Sequence, residues 1–331
     1  MSGVIGIRNS ELGMRKFMRV AVLMGGPSAE REISLRSGAA ALRGLRECGY
    51  AAEAVEVTGR AFTLPPGTEA VFIALHGEFG EDGEVQAILD GMGVPYTGSG
   101  AAASRAAMDK LATKEAFMAN GISTPAYALL QRGDKPQFPL PAVVKPVRQG
   151  SSFGVHLVRE PSQMGAALED AFRYDEQVLV ETYIPGREVT VGVLDREVLP
   201  VVEIAAPDGW YGYEAKYTPG RTRYLCPAEL PEAIRAEAQR LALAVFDALG
   251  CEGVGRVDFR LSPAGGLYVL ELNSIPGLTE TSLLPKAAAA AGIPFATLCD
   301  RLMRTARCDG ADEKSSREER SNEGLAIDEL K

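Results

Sequence analysis

The sequence predicts an α/β (α+β) protein of three unequal domains, the first carrying a parallel sheet. Three patterns predict it. Strands and helices alternate through the first third with Gly-rich turns at the strand ends, the middle turns to short β-branched strands after a single helix, and the last third holds a hairpin of two alternating strands. The chain has 331 residues, of which 46% are apolar and 24% charged. At about 150 residues per domain this is enough for two or three domains with a substantial core.

Residues 1–18 show no periodicity and read as an N-terminal extension. The N-terminal domain, 19–108, runs through the strand RVAVLMGG, a helix over about 28–46, the strands AAEAVEV and AVFIALHG, and a helix over 84–92. Parallel sheets bind ligands at the carboxyl ends of their strands. Those ends carry GGPSAERE and HGEFGEDG. The central domain, 109–188, opens with the helix DKLATKEAFMANG, closed by Gly121, and continues as PAVVKPV, VHLV and QVLVETYI. The C-terminal domain, 189–308, holds EVTVGVL, a long polar loop over 207–227, a helix over about 231–249, GVGRVDFRL, a Gly265-Gly266 turn and LYVLELN. Residues 309–331, with eight acidic and four basic side chains, read as a solvated, disordered tail.

Composition removes whole classes of function. A formal charge of −9 argues against bulk binding to nucleic acid or anionic membrane, because an acidic chain repels both. No window reaches eighteen uninterrupted apolar residues, and the N-terminus lacks a secretory pattern. The five cysteines are odd in number and scattered, with no CxxC, so a reducing cytoplasmic setting without structural zinc is expected.

The strongest chemical pattern is the hairpin VDFRL…GG…LYVLELN. Side chains alternate along a strand, so Glu271 and Asn273 share one face while Leu270 and Leu272 take the other. At about 3.4 Å per residue their roots lie roughly 7 Å apart, close enough to hold one Mg²⁺ or a pair of ions. Arg256, Asp258 and Arg260 share a face of the preceding strand. Two carboxylates and an amide oxygen suit a hard cation that completes its shell with water and phosphate oxygens. A solvated strand face is the alternative reading of each residue taken singly.

A phosphate source is then expected nearby, yet the chain has neither a GxxxxGK[ST] loop nor a GxGxxG after its first strand. It offers AVVKPVRQGSSFGVHLV, two strands joined by a Gly-Ser-rich loop, with Lys145 ending the first and Ser151 and Ser152 in the loop. Such a loop can fold over a triphosphate, or be an ordinary hairpin turn. Lys110, Lys145 and Lys216 could supply point charges to phosphates. Glu30 falls in the opening turn of a helix, where the dipole favours a carboxylate. His76 ends an apolar strand at an exposed position that suits a site, with a core histidine as the alternative. The loop PDGWYGYEAKYTPGRTRYLCP, with the one Trp and four of the ten Tyr, has the length of a lid.

Taken together, GGPSAEREISL, ALHGEFGEDG, PYTGSGAAASRAAMDK, KPVRQGSSFGV, YEAKY, GVGRVDF and ELNSIPGLTETSLLP resemble the bacterial D-alanine:D-alanine ligases of the ATP-grasp superfamily. The resemblance runs from about Arg19 to Arg304. It implies an ATP-grasp fold and an ATP-dependent ligation of two D-alanine molecules through an acyl phosphate, feeding peptidoglycan precursor synthesis. It also implies ATP as co-substrate, two Mg²⁺ (or Mn²⁺) ions and a homodimer.

Carried over by position, Glu30 matches the residue that binds the first D-alanine's ammonium, and His76 lies near that substrate's carboxylate. Ser151 and Tyr217 match the pair hydrogen-bonded to Glu30. Arg256 and the backbone around Gly277 match the groups holding the tetrahedral oxyanion, and Ser282 with Leu283 the grip on the second carboxylate. Lys110, Lys145 and Lys216 match phosphate contacts, with Ser151 and Ser152 in the covering loop. Glu181 and Ile184 match the adenine hinge, and Glu188 the ribose contact. Asp258, Glu271 and Asn273 match the metal ligands. Thr182, Gln149 and Phe153 depart from the family pattern around the nucleotide. Tyr217 favours a dipeptide product over the D-lactate or D-serine products of sister ligases. The other competitor is a nucleotide-binding regulator without turnover, which has no need of an oxyanion pocket.

Overall fold

The computed structural model describes residues 18–212, 215–216, 218 and 220–308. The expected N-terminal extension, the C-terminal tail and Tyr217 therefore lie outside the described residues.

Three sheets organise the described residues. The first is parallel, in the order β2-β1-β3, from β1 (Arg19–Gly25), β2 (Ala51–Val57) and β3 (Ala70–Ile73). Buried Val, Leu, Phe and Ile fill β1 and β3, as a strand covered on both faces requires. Helix α1 (Arg31–Glu47) packs on it. It starts later than the predicted position 28, because Glu30 is the residue before the helix and only its carbonyl enters the ladder, accepting from the amides of Ile33 and Ser34. Ser34 Oγ joins the strand ends, accepting from Gly25 N at 2.8 Å and donating to Ala74 O at 2.8 Å. Helices α2 (Glu84–Met92), α3 (Ala101–Met108) and α4 (Lys110–Ala119) follow. Asp109 caps α4 by accepting from Leu111 N and Ala112 N.

The second sheet is antiparallel, β4-β7-β5-β6, built from β4 (Tyr127–Gln131), β5 (Ala142–Pro146), β6 (His156–Val158) and β7 (Gln177–Thr182), with α5 (Pro161–Ala171) packed on it. The third runs β11-β10-β8-β12-β13, with β9 (Glu197–Val198) paired to β8. Its strands are β8 (Arg187–Leu194), β10 (Val202–Ala205), β11 (Arg223–Leu225), β12 (Val254–Leu261) and β13 (Leu267–Asn273), and α6 (Glu232–Ala248) covers one face. The segment over 207–227 is thus not loop throughout, since β11 pairs with β10. Helix α7 (Leu283–Ala290) packs on β8, and α8 (Phe295–Arg304) returns to α1 on the first sheet. Leu298 and Leu302 of α8 join Ala41 and Leu45 of α1 in one buried cluster, which fixes the first sheet against the third.

The turn from the second sheet into the third is Gly186, with φ +122. A Cβ there would collide with the Leu261 carbonyl oxygen. Gly186→Ala combines left-handed strain with a backbone clash and is expected to lower stability by about 2–4 kcal/mol. Urea melts of the two proteins check this, and a difference below about 1 kcal/mol would contradict it.

Candidate active site

Two cavities meet between the sheets. The larger, about 330 Å³, lies against the carboxyl ends of β1 and β3, with Glu30, His76, Glu81, Gly277, Ser282 and Leu283 among its walls. The smaller, about 120 Å³, lies between the second and third sheets and is lined by Lys110, Lys145, Glu181, Glu188, Asp258 and Glu271, with Ile184, Ser152 and the apolar Val143, Leu270 and Trp210 beside them. Ser151, Lys216 and Arg256 line both. Every site residue expected from the sequence that falls among the described residues borders one cavity or the other.

The first cavity is built around Glu30. Ser151 Oγ, from the Gly-Ser loop after β5, donates to Glu30 Oε1, so the second sheet is tied to the first across the cleft. A Cβ on Gly77 would stand 2.7 Å from Glu30 Oε2 at φ +68, so only glycine admits the carboxylate there. Burial pushes the Glu30 carboxyl up, with Glu81 adding to the rise and Lys216 and His76 opposing it. His76 is buried at 5% exposure, which corrects the expectation of an exposed position. Its Nε2 lies 3.0 Å from Ser37 Oγ and its Nδ1 3.4 Å from Glu81 Oε1, because Ser37 on α1 and the loop before α2 close over the strand end. At the far wall a Cβ on Gly277 would lie 2.8 Å from Ser282 Oγ, which keeps that backbone bare. Ser282 is the N-cap of α7 and borders the cavity with Leu283, so a helix N-terminus, which suits a carboxylate, stands at this wall. Leu283 can take part only through its backbone.

The second cavity is cationic against a carboxylate floor. Lys110 and Lys145 are both buried. Lys110 Nζ donates to Gln149 O at 2.5 Å and stands 3.5 Å from Glu271 Oε2. Lys145 Nζ is 2.6 Å from Glu181 Oε1. Burial alone would raise the Glu271 carboxyl, but Lys110, Lys145, Lys216 and Arg256 outweigh it and hold the group below its usual value. Asp258 and Glu271 face each other across β12 and β13, as do Arg256 and Asn273. Asp258 Oδ1 accepts from Arg256 Nε at 2.9 Å and Thr190 Oγ1 at 2.5 Å, and Oδ2 from Arg256 Nη2 at 2.8 Å and Asn273 Nδ2 at 3.1 Å. Burial pushes Glu188 up to about 7 despite Arg260 Nη1 at 3.2 Å.

Ser151 and Ser152 hold φ of +49 and +61. Non-glycine residues in that region carry strain that only the surrounding structure maintains, and such strain collects at ligand-binding loops. The side chain of Glu181, expected at a nucleotide hinge, is turned to lysines instead. Leu270 reaches the second cavity although strict alternation puts it on the opposite face. The ladder between β12 and β13 shifts register at Asp258/Phe259, leaving Leu270 as the extra residue of a bulge. Sequence reasoning did not single out Glu81 or Tyr211, although the HGEFGEDG and lid-length segments contain them, and it missed Ser37 and Thr190, which sit in no recognisable pattern. Trp210, the one tryptophan of the chain, was signalled by its loop, and its ring meets Tyr183 edge-on at 6.2 Å.

The chain matches two protein families. Residues 60–99 match the family described as D-ala D-ala ligase N-terminus, and residues 117–304 the one described as D-ala D-ala ligase C-terminus. A D-alanine–D-alanine ligase of Syntrophotalea carbinolica is 49% identical over 305 residues, covering 90% of this chain and 98% of the relative. The D-alanine–D-alanine ligase of Bacillus anthracis complexed with ATP superposes with a TM-score of 0.76 at 32% identity, covering 87% of this chain and 97% of the other. The VanG D-Ala:D-Ser ligase of Enterococcus faecalis superposes at 0.77 with 29% identity, covering 87% and 98%.

Because the folded Glu188 carboxyl lies above its ordinary value, its ionised form costs stability, a penalty absent below about pH 4.5 and complete above about pH 7. Glu188→Gln is therefore expected to be more stable than the parent at pH 8, by of the order of 2 kcal/mol, and equal to it near pH 4.5. Thermal melts across this range check the sign, and a difference that does not change with pH would contradict the burial argument.

Proposed function

The chain belongs to the D-alanine:D-alanine ligase family, and we propose that it joins two D-alanine molecules into D-alanyl-D-alanine, converting ATP to ADP and phosphate, for peptidoglycan precursor synthesis. The observation that carries this reading is the meeting of the cavity built around Glu30 with the lysine-lined cavity at Ser151, Lys216 and Arg256. A carboxylate bound in one is brought against a phosphate bound in the other.

In the first step a carboxylate oxygen of the first D-alanine attacks the terminal phosphorus, the bond to the bridging oxygen breaks and ADP leaves. Two anions are forced together, and the burial of Lys110 and Lys145 gives their charge its effect in a site of low dielectric. Glu30 orients the substrate through its ammonium, and Ser151 ties that carboxylate to the loop covering the phosphates. In the second step the amine of another D-alanine attacks the acyl carbon. Arg256 and the Gly277 amide hold the oxyanion, the carbon–oxygen bond to phosphate breaks, and phosphate leaves with the proton the attacking amine gives up. Ser282 and the Leu283 amide hold the incoming carboxylate. Tyr217, which lies outside the described residues, keeps in this reading the role its position matches, as the partner of Ser151 at Glu30.

The donor set fits a hard dication, since Asp258, Glu271 and Asn273 bring oxygen donors from two paired strands and Glu271 is kept ionised by its cationic neighbours. Among the described residues no third His, Cys, Asp or Glu joins these two carboxylates as a metal-holding group. Mg²⁺ or Mn²⁺, as two ions, would shield the phosphate oxygens there. The hinge and ribose roles go to the backbone around Glu181 and Ile184 and to Glu188, and Ser152 stays with the phosphate cover. No helix among the described residues is long and apolar enough to cross a membrane. Small-molecule substrates, a cytoplasmic location and a homodimer belong to the same reading, the last from the family.

The D-serine alternative draws on the lower-identity structural relative, whereas the 49% identical one carries the D-alanine–D-alanine name. Phosphate release from ATP is expected to require D-alanine, to yield the dipeptide, and to prefer D-alanine over D-serine and D-lactate as acceptor. Glu271→Gln is expected to lower kcat by about a hundredfold or more with the fold preserved by circular dichroism. Release independent of D-alanine would contradict the ligase reading, and near-normal turnover of Glu271→Gln at limiting Mg²⁺ would remove that residue from the metal site.

A further inference from the structure

Lys114, on α4 one turn after Lys110, is fully buried at 0% exposure and lines neither cavity. Its ammonium donates to Thr124 Oγ1 at 2.7 Å and Pro125 O at 3.3 Å, and it lies 5.1 Å above the centre of the Tyr127 ring. It also stands 3.2 Å from Glu181 Oε1, the same oxygen that Lys145 reaches at 2.6 Å. Two ammonium groups thus share one carboxylate, itself 2% exposed. Burying an ammonium is costly, and an apolar side chain of that length would fill the space without the cost.

The charge count shows what the second ammonium changes. With Lys145 and Glu181 alone, the pair is closed and neutral, and the pull of Lys145 on a phosphate is offset by the carboxylate beside it. With Lys114 added, the cluster carries a net positive charge, and Glu181 Oε1 is shared between the two ammonium groups. Lys110 and Lys145 border the cavity while Lys114 does not, so its effect can reach a nucleotide only through Glu181 and Lys145. Thr124 Oγ1 in turn donates to Val269 O at 2.9 Å, linking this cluster to the strand that carries Glu271.

We propose that Lys114 is a positioning residue that sets ATP affinity, by sharing the Glu181 carboxylate so that this carboxylate is not spent on Lys145 alone and the Lys145 ammonium is left directed toward the nucleotide. The inference rests on the ATP-binding reading above. The charged and titratable groups packed around Lys114 are Glu181 of β7, Lys145 of β5 and Tyr127 of β4. Burial brings the Lys114 ammonium down to about 8, against the attraction of Glu181 and with repulsion from Lys145. As pH rises through that value the proton leaves, the cluster becomes neutral and ATP affinity falls.

The test compares the full chain with Lys114→Met and Lys114→Arg, measuring ATP affinity by calorimetry and kcat and KM by D-alanine-dependent phosphate release. Lys114→Met is expected to weaken ATP binding about tenfold near pH 7, the scale of one charge-assisted hydrogen bond, with kcat at saturating ATP changed by less than about threefold. The parent's KM for ATP is expected to rise between about pH 7.5 and about pH 9, and Lys114→Arg, which cannot lose its proton there, to keep a low and flat KM. Unaltered ATP affinity in Lys114→Met, with only its melting temperature lowered, would overturn the proposal. So would a Lys114→Arg profile that rises as the parent's does, and this comparison decides alone should Lys114→Met not fold. A parent protein that binds no ATP would overturn the ligase reading and this inference with it, a result distinct from selective failure of the variants.

Discussion

The structure depends on one electrostatic arrangement: cations from three different elements, two of them buried, held around carboxylates where two cavities join. Lys110 comes from the start of α4, Lys145 from the end of β5 and Arg256 from β12, and each has a carboxylate within reach. Charges of one sign could not be buried together without those partners, since desolvation and mutual repulsion would expel them. The carboxylates make the cations possible, and the cations keep Glu271 ionised. What results is a site already polarised for anions, with little reorganisation left to the moment of reaction.

The fold serves that arrangement by drawing its members from separate sheets. The parallel sheet brings Glu30 and His76 to its carboxyl edge, and the Ser34 hydroxyl bonded to both β1 and the segment after β3 keeps that edge closed. The antiparallel second sheet delivers Lys145 and the strained Ser151-Ser152 turn. The third delivers the paired strands with Asp258, Glu271 and Asn273. Ser151 to Glu30 is a polar contact across the cleft, while the apolar cluster of α1 with α8 and that of Phe117 and Ile122 with the third sheet carry the permanent attachments. A cleft joined by a few hydrogen bonds can exchange them for a substrate's. A cleft joined by an apolar core could not.

Much of this was legible in the sequence because it follows from local rules. The period-2 pattern of LYVLELN placed Glu271 and Asn273 together, and β-branched runs bounded by Gly and Pro marked the strands. The strand-end loops GGPSAERE and HGEFGEDG marked the edge of the first cavity. Legibility failed where tertiary packing decides. The burial of His76 depends on Ser37, on a helix that precedes it by 39 residues. Leu270 enters the nucleotide cavity through a bulge that alternation cannot foresee. Lys114 reads as one more helical lysine until Glu181, 67 positions away, is found beside it.

The account turns on a carboxylate oxygen of D-alanine attacking the terminal phosphorus of ATP across the cavity junction. D-alanine labelled with ¹⁸O in its carboxylate, turned over with ATP and Mg²⁺, tests this directly by mass analysis of the released phosphate. The account predicts one ¹⁸O atom carried from the carboxylate into each phosphate. Phosphate free of the label, with dipeptide formed all the same, would contradict it.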